Sequence, residues 1–181
     1  MIRTESDNLM SSSLIENLVV QAKNKNAEAF GELYSYYAKD MFRFALYYIG
    51  QTHLAEDAVS EAVLNAFQNI EKLQKAGSFK SWLFSILFNC CKKAQKEKAL
   101  ALQRVELSAA SGLSQEAFEK SGKADVQSLL SVLEEDEREI LLLSFIGGYS
   151  SEEIGKMLSM KAVSVRSKKA RSVKKLRKTM L

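Results

Sequence analysis

The chain has 181 residues, 46% of them apolar and 27% charged, enough for one domain or two small ones with ordinary cores. It contains no proline, where average usage of about 5% would supply several, which favours a mostly helical chain. No apolar run approaches the ~18 residues that read as a bilayer-crossing helix, and the opening MIRTESDNLMSSS has no apolar signal core, so a cytoplasmic protein without stable membrane insertion is expected. Cys90 and Cys91 are adjacent and His53 is the single histidine, which makes no zinc spacing. They are expected to be packed thiols in a reducing compartment, and no metal or other cofactor is expected.

The net charge of +4 is unevenly spread. Residues 1–97 carry eleven cations and eleven anions, residues 98–160 six and eleven, and residues 161–181 nine cations and no anion. A basic element beside a neutral or acidic scaffold suits phosphate binding.

Residues 1–12 are polar and expected to be disordered. Ser13 and Glu16 have capping-box spacing and predict a helix to about Asn24. Asn26 caps a second helix whose face is Phe30, Leu33, Tyr34, Tyr37, Met41, Phe42, Ala45 and Tyr48, with Gly50 as its C-cap. Aromatics at this spacing read as core rather than as a base-stacking surface. Thr52 is expected to cap a third helix burying Ala55, Ala58, Val59, Ala62, Val63, Ala66, Phe67 and Ile70. Its other face holds Glu56, Asp57 and Glu61, which either complement the helix dipole on a solvated face or dock a basic partner.

The stretch KLQKAGS, with Gly77 and a capping Ser78, reads as a loop. A helix from Phe79 to about Lys98 follows, burying Phe79, Trp82, Leu83, Ile86 and Leu87; after Asn89 it turns basic with Lys92, Lys93, Lys96 and Lys98. Such a helix can be anchored at one end and touch phosphates at the other. Residues 99–124 lose periodicity and read as a flexible linker, with a brief helix over Gln115–Glu119.

A second unit is expected from Asp125, beginning with a helix that presents Val126, Leu129, Leu130 and Leu133. An acidic start at Glu134–Glu137 leads into Ile140, Leu141, Leu143, Ser144 and Phe145, and Gly147-Gly148 ends that helix. Ser150 and Glu153 make a third capping box, opening a helix with Ile154, Met157 and Leu158 inward. A break at Ser159-Met160-Lys161 leads into a basic helix carrying Val163, Val165, Val173 and Leu176. Two helices with such a turn form the unit that puts its second helix into a DNA major groove. The expected fold is therefore all-α: two small helical domains, 13–98 and 125–181, joined by a flexible linker, the C-terminal one a helix-turn-helix.

The segments NAEAFGELYSYYAKDMFRFALYYIG, AEDAVSEAVLNAFQNI and GSFKSWLFSILFNCCKKA resemble the first conserved domain of the extracytoplasmic-function (ECF) sigma factors of bacterial RNA polymerase. EEDEREILLLSFIGGYSSEEIGKMLSMKAVSVRSKKARSVKKLRK resembles their second, in the same order. The resemblance implies a non-enzymatic subunit that recruits core polymerase to two promoter elements and helps melt one. It places Glu56, Asp57 and Glu61 on the polymerase clamp, with a further contact to the flap. Lys75, Ser78, Asn89, Lys92, Lys93 and Lys96 would lie on the minus-ten element, where a base is flipped into a pocket. Trp82 matches a family tryptophan and reads as core. On the minus-thirty-five element the resemblance places Ser164, Arg166, Ser167, Ala170 and Arg171, with Lys168, Lys174 and Lys175 on phosphates. An anti-sigma factor is the implied regulatory partner. Four positions depart from the pattern: Lys161 stands where a Ser cap is usual, Lys169 where an apolar residue is, Val173 where an Arg is common, and Glu134 in place of a proline. The alternative is an autonomous helix-turn-helix regulator whose N-terminal domain senses or oligomerises. No nucleophile–base pattern or Gly-rich phosphate loop supports an enzyme.

Overall fold

The computed structural model describes residues 5–108 and 123–179, and every element among them is helical. The first unit comprises α1 (Glu5–Lys23), α2 (Ala27–Ile49), α3 (Thr52–Asn69) and α4 (Phe79–Ser108), with single 3-10 turns at Ile70–Lys72 and Ala76–Ser78. The second comprises α5 (Lys123–Ser131), α6 (Glu135–Leu142), a π-helical turn at Leu143–Gly147, α7 (Ser151–Met157) and α8 (Ala162–Thr179).

Several boundaries are set locally, as the spacing predicts. The Asn26 side chain accepts from the backbone N–H groups of Glu28 (3.0 Å) and Ala29 (3.2 Å), filling orphan donors at the start of α2. Gly50 ends the helix in the left-handed region (φ 80°), its N–H donating to the Leu46 carbonyl at 2.9 Å. Gly148 does the same after α6 and its π turn, at φ 77°.

Other boundaries differ. α1 starts at Glu5, so Ser13 lies inside the helix and its box with Glu16 is not a start. The preceding residues contain neither glycine nor proline, and nothing in them stops a helix extending backwards. Thr52 is the first helical residue rather than the cap; the capping position is the extended Gln51, because the turn is already made at Gly50. α4 runs to Ser108, ten residues past Lys98, since Ala99–Ser108 are tolerated in a helix and hold no breaker. The expected linker is thus helical at its start; the brief helix over Gln115–Glu119 lies outside the described residues.

In the first unit α2 is buried on two sides. Leu33, Met41 and Ala45 are buried as the pattern predicts, but so is Phe44, which the single apolar face omits. Its ring meets Phe84 edge-on at 5.8 Å and Phe88 at 6.5 Å, both from α4. α4 likewise buries Phe84 and Phe88 beyond the expected Phe79, Leu83 and Leu87, while Trp82 and Ile86 are only half-buried. The reason is that α4 has neighbours on two sides: α2 and α3 on one, the C-terminal unit on the other. One apolar core continues from α2 and α4 through Leu133, Ile140 and Leu143 to Ile154 and Val165.

Candidate nucleic-acid interface

α7 and α8 form the helix-turn-helix. Ser150 and Glu153 cap α7 reciprocally: the Ser150 N–H donates to Glu153 Oε2 at 2.8 Å and the Glu153 N–H to Ser150 Oγ at 3.3 Å. The turn passes through Ser159, left-handed at φ 55°, and is tied back by the Met160 N–H on the Gly155 carbonyl at 2.8 Å. Lys161 takes the capping position of α8, its carbonyl accepting from Val165 N–H at 3.1 Å. A lysine side chain offers no acceptor, so no side-chain cap forms there.

Val165 and Ser172 are buried and fix the inward face of α8. Ser164, Arg166, Ser167, Ala170, Arg171 and Lys174 are exposed. Arg166 donates to Glu152 Oε1 at 2.7 Å; the Glu152 carboxyl is held below its usual range by its own backbone N–H and by this arginine. Among the described residues the one hydrogen bond of the exposed Arg171 side chain runs from Nε to the Ser167 carbonyl at 3.4 Å. Two lysines expected to hold phosphates are occupied within the unit. Lys168 is half-buried against Asp136, and Lys175 lies 3.2 Å from Glu137. Glu137 is held low by the Glu134 backbone N–H and then by Lys175. Lys169, at the family's apolar position, bonds Ser144 Oγ and sits 4.8 Å over the Phe145 ring, a cation–π contact in place of burial. Ser151, Arg166, Lys169, Ala170, Val173, Lys174 and Arg177 line one open groove of about 780 Å³. Arg177 joins this face unexpectedly, and its signal in the sequence is its place about one turn beyond Lys174.

The second basic surface is the middle of α4. Asn89, Lys92, Lys93 and Lys96 are exposed, as is Lys75 in the preceding loop. Ser78 closes the 3-10 turn, its N–H donating to the Lys75 carbonyl at 3.0 Å. It does not cap α4 with its side chain; its carbonyl accepts from Ser81 Oγ at 3.1 Å. Lys93 pairs with Glu61 at 2.9 Å, a hydrogen bond that raises the lysine and ties two residues expected to serve different partners. Cys90 and Cys91, between these lysines in sequence, are buried and unbridged; burial pushes both thiols up, which leaves little thiolate to react.

The third surface is α3. Glu56 and Asp57 are exposed and Glu61 is half-exposed. Beside them Leu64 is 56% exposed and Phe67 42%, although the apolar spacing assigns Phe67 to the core. Phe67 packs edge-on to Phe30 at 5.1 Å on the rim of an open groove with Tyr34, Ser60 and Val63. Periodicity cannot separate this side chain from a buried one because it lies only about 40° from Val63 on the helix.

A helix-turn-helix with an arginine-bearing outer face, joined to a helical unit with a basic helix end, defines a DNA-binding protein, and α3 adds an exposed acidic and apolar face. Residues 33–100 match Sigma-70 region 2 and residues 123–176 match Sigma-70, region 4. The ECF RNA polymerase sigma factor BldN of Streptomyces coelicolor is 27% identical over 175 residues, covering 91% of this chain and 65% of BldN. SigW of Bacillus subtilis, another ECF sigma factor, is 24% identical over 183 residues, covering 92% of this chain and 97% of SigW. The fold is shared with CnrH in its complex with the cytosolic domain of CnrY, at a TM-score of 0.68 and 22% identity, with 92% of this chain and 97% of CnrH covered. It is shared equally with the sigma factor RpoE of Bartonella quintana in complex with the anti-sigma factor NepR, at a TM-score of 0.68 and 19% identity over 83% of this chain and 96% of RpoE. The chain belongs to the ECF group of the sigma-70 family: it is an RNA polymerase sigma factor, a non-enzymatic subunit for promoter-specific initiation. Among the described residues no helix is long and apolar enough to cross a membrane.

Proposed function

We propose that the two basic surfaces divide the promoter between them and that α3 docks the polymerase. α8 enters the major groove of the minus-thirty-five element, with Arg166, Ser167, Ala170 and Arg171 at base edges and Ser164, Lys174 and Arg177 toward the backbone. Lys75, Ser78, Asn89, Lys92, Lys93 and Lys96 serve the minus-ten element. Arginine offers the fork that matches guanine O6 and N7, whereas lysine contacts to phosphate set register without reading sequence. The observation that carries this reading is the outward row of Arg166, Ser167, Ala170 and Arg171 on a helix whose inward face is fixed by Val165 and Ser172. Lys168 and Lys175 are assigned mainly to holding α8 on α6, a change from the phosphate role first expected of them.

On α3, exposed Leu64 and Phe67 beside Glu56, Asp57 and Glu61 make a mixed apolar and acidic patch suited to a basic surface of core polymerase. The chain works in the cytoplasm, where the polymerase is, and takes an anti-sigma factor as its inhibitor; the RpoE relative is solved with such a partner. Run-off transcription with purified core polymerase and a library of randomised promoters tests the whole reading. Transcripts that require both proteins, and that share two sequence elements, are expected; specific DNA binding without any transcription would refute it.

Two substitutions separate the surfaces. Asp57→Lys is expected to weaken core-polymerase binding on the order of tenfold or more, because like-charge juxtaposition costs up to several kcal/mol. Helical content should be unchanged, since Asp57 is exposed; an unaltered affinity for core polymerase moves the docking face off α3. Lys174→Ala is expected to lower the salt slope of duplex binding by about 0.9, one phosphate's share. Measured between low and moderate salt, an unchanged slope removes Lys174 from the contacts.

A further inference from the structure

We propose that Val163 reads a thymine of the minus-thirty-five element through the C5-methyl group of the base. The inference rests on the assignment of α8 to the major groove of that element.

Val163 is the second residue of α8. Its side chain is 65% exposed, although the same helix finds apolar places for its other valines: Val165 is fully buried and Val173 packs against the core. At about 100° per residue, Val163 stands roughly 160° around the helix from Val165 and about 180° from Ser172, the two residues that fix the inward face. It therefore lies at the centre of the outward face and not at its rim. Arg166 and Ser167 follow one turn further along that face and Ala170 two turns further, all exposed.

An isolated exposed valine is ordinary on a protein surface. This one occupies the first turn of a recognition helix, where side chains contact base edges. Local structure gives no reason for it: a β-branched residue is a weaker helix former than alanine or the lysines and arginines around it. The reason lies in what the groove offers. Among the groups that base pairs present there, the thymine C5-methyl is the apolar one; the others are N–H donors and N or O acceptors. Valine has two γ-methyl groups and no polar side-chain atom. Against thymine it buries a methyl group. Against the cytosine amino group it would displace water and return no hydrogen bond. One helical turn is about 5.4 Å, so this thymine lies about one or two base steps from the pair that Arg166 meets. Val163 thus adds discrimination at a step where an arginine fork has no guanine to hold.

The test uses holoenzyme reconstituted from the full chain and purified core polymerase, on promoter duplex carrying the upstream element recovered from the randomised library. Each thymine of that element is replaced in turn by deoxyuridine, which deletes the C5-methyl and keeps the pairing edge. One replacement should weaken binding about three- to fourfold, the worth of burying one methyl group. Holoenzyme with Val163→Ala, which withdraws the γ-methyl groups, should bind the thymine and deoxyuridine promoters equally. Alanine is the better helix former, so a lost preference cannot come from a weakened α8. A wild type indifferent to every replacement overturns the proposal, as does an upstream element without thymine. A thymine preference that survives Val163→Ala also overturns it and gives the methyl to another residue, such as Ala170. In each of these cases Arg171→Ala shows whether the underlying reading stands: lost discrimination keeps α8 in the groove, whereas unchanged discrimination removes it from the element altogether.

Discussion

Arg171→Ala is expected to lower affinity for the cognate upstream element by about 1–3 kcal/mol, roughly 5- to 150-fold, while barely changing affinity for random duplex. The guanidinium stands on the exposed face of α8 and is engaged only through Nε, at 3.4 Å from the Ser167 carbonyl. Its terminal nitrogens keep the fork geometry that guanine O6 and N7 accept. No internal partner has to be given up, so nearly the whole interaction appears in the difference between cognate and random DNA. Arg166 differs, because its Nη1 is already held by Glu152 at 2.7 Å. An exposed pair of this kind contributes little in water, and docking must share or break it. Arg166→Ala should therefore fall at the lower end of the same range. Titration of labelled cognate and scrambled duplexes at fixed salt distinguishes the roles: equal losses on both would make Arg171 a phosphate contact and move base reading elsewhere along α8.

What was legible in the sequence was what neighbouring residues decide. The Asn26 cap, the Gly50 and Gly148 turns and the Ser150–Glu153 box are made by residues a few positions apart, and each formed where its spacing placed it. The helix-turn-helix and the outward row on α8 follow from the same local rules. The misreadings at Ser13, Thr52 and Lys98 are also local; a start signal cannot reveal that helix-compatible residues continue beyond it. What stayed hidden depends on partners far along the chain. Phe44, Phe84 and Phe88 are buried because α2 and α4 are each covered twice, which one apolar stripe cannot express. Phe67 is exposed although its spacing is that of a core residue. Lys168 and Lys175 look like phosphate ligands in a basic run, yet acids 32 and 38 residues earlier claim them. Glu139, in a run of solvated acids, gives no sign that it is buried against Tyr48.

Gly155→Ala should unfold or loosen the helix-turn-helix, costing about 1–3 kcal/mol or more, while the first unit stays folded. A methyl group built on Gly155 would lie 2.6 Å from the Met160 carbonyl oxygen and 3.4 Å from the Ala162 nitrogen. Both are backbone atoms, so no rotamer change relieves the overlap. The turn has little room to retreat: the Met160 N–H is bonded to the Gly155 carbonyl at 2.8 Å, and Ser159 already sits at φ 55°. Moving Met160 away would carry the start of α8 with it and withdraw Val165 from the core, where it is fully buried. Gly31→Ala is the control, since a methyl there meets nothing within 4 Å. In the middle of α2 it should be neutral or stabilising by up to about 1 kcal/mol, the ordinary helix preference for alanine over glycine. Denaturant unfolding of both variants, read alongside upstream-duplex binding, gives the decision. Loss of stability and of upstream binding for Gly155→Ala, with core-polymerase affinity kept, is expected because α3 lies in the unit the substitution does not touch. A stable Gly155→Ala with full upstream affinity would mean that α7 does not approach the turn this closely, and the orientation of α8 that places Arg171 outward would lose its support.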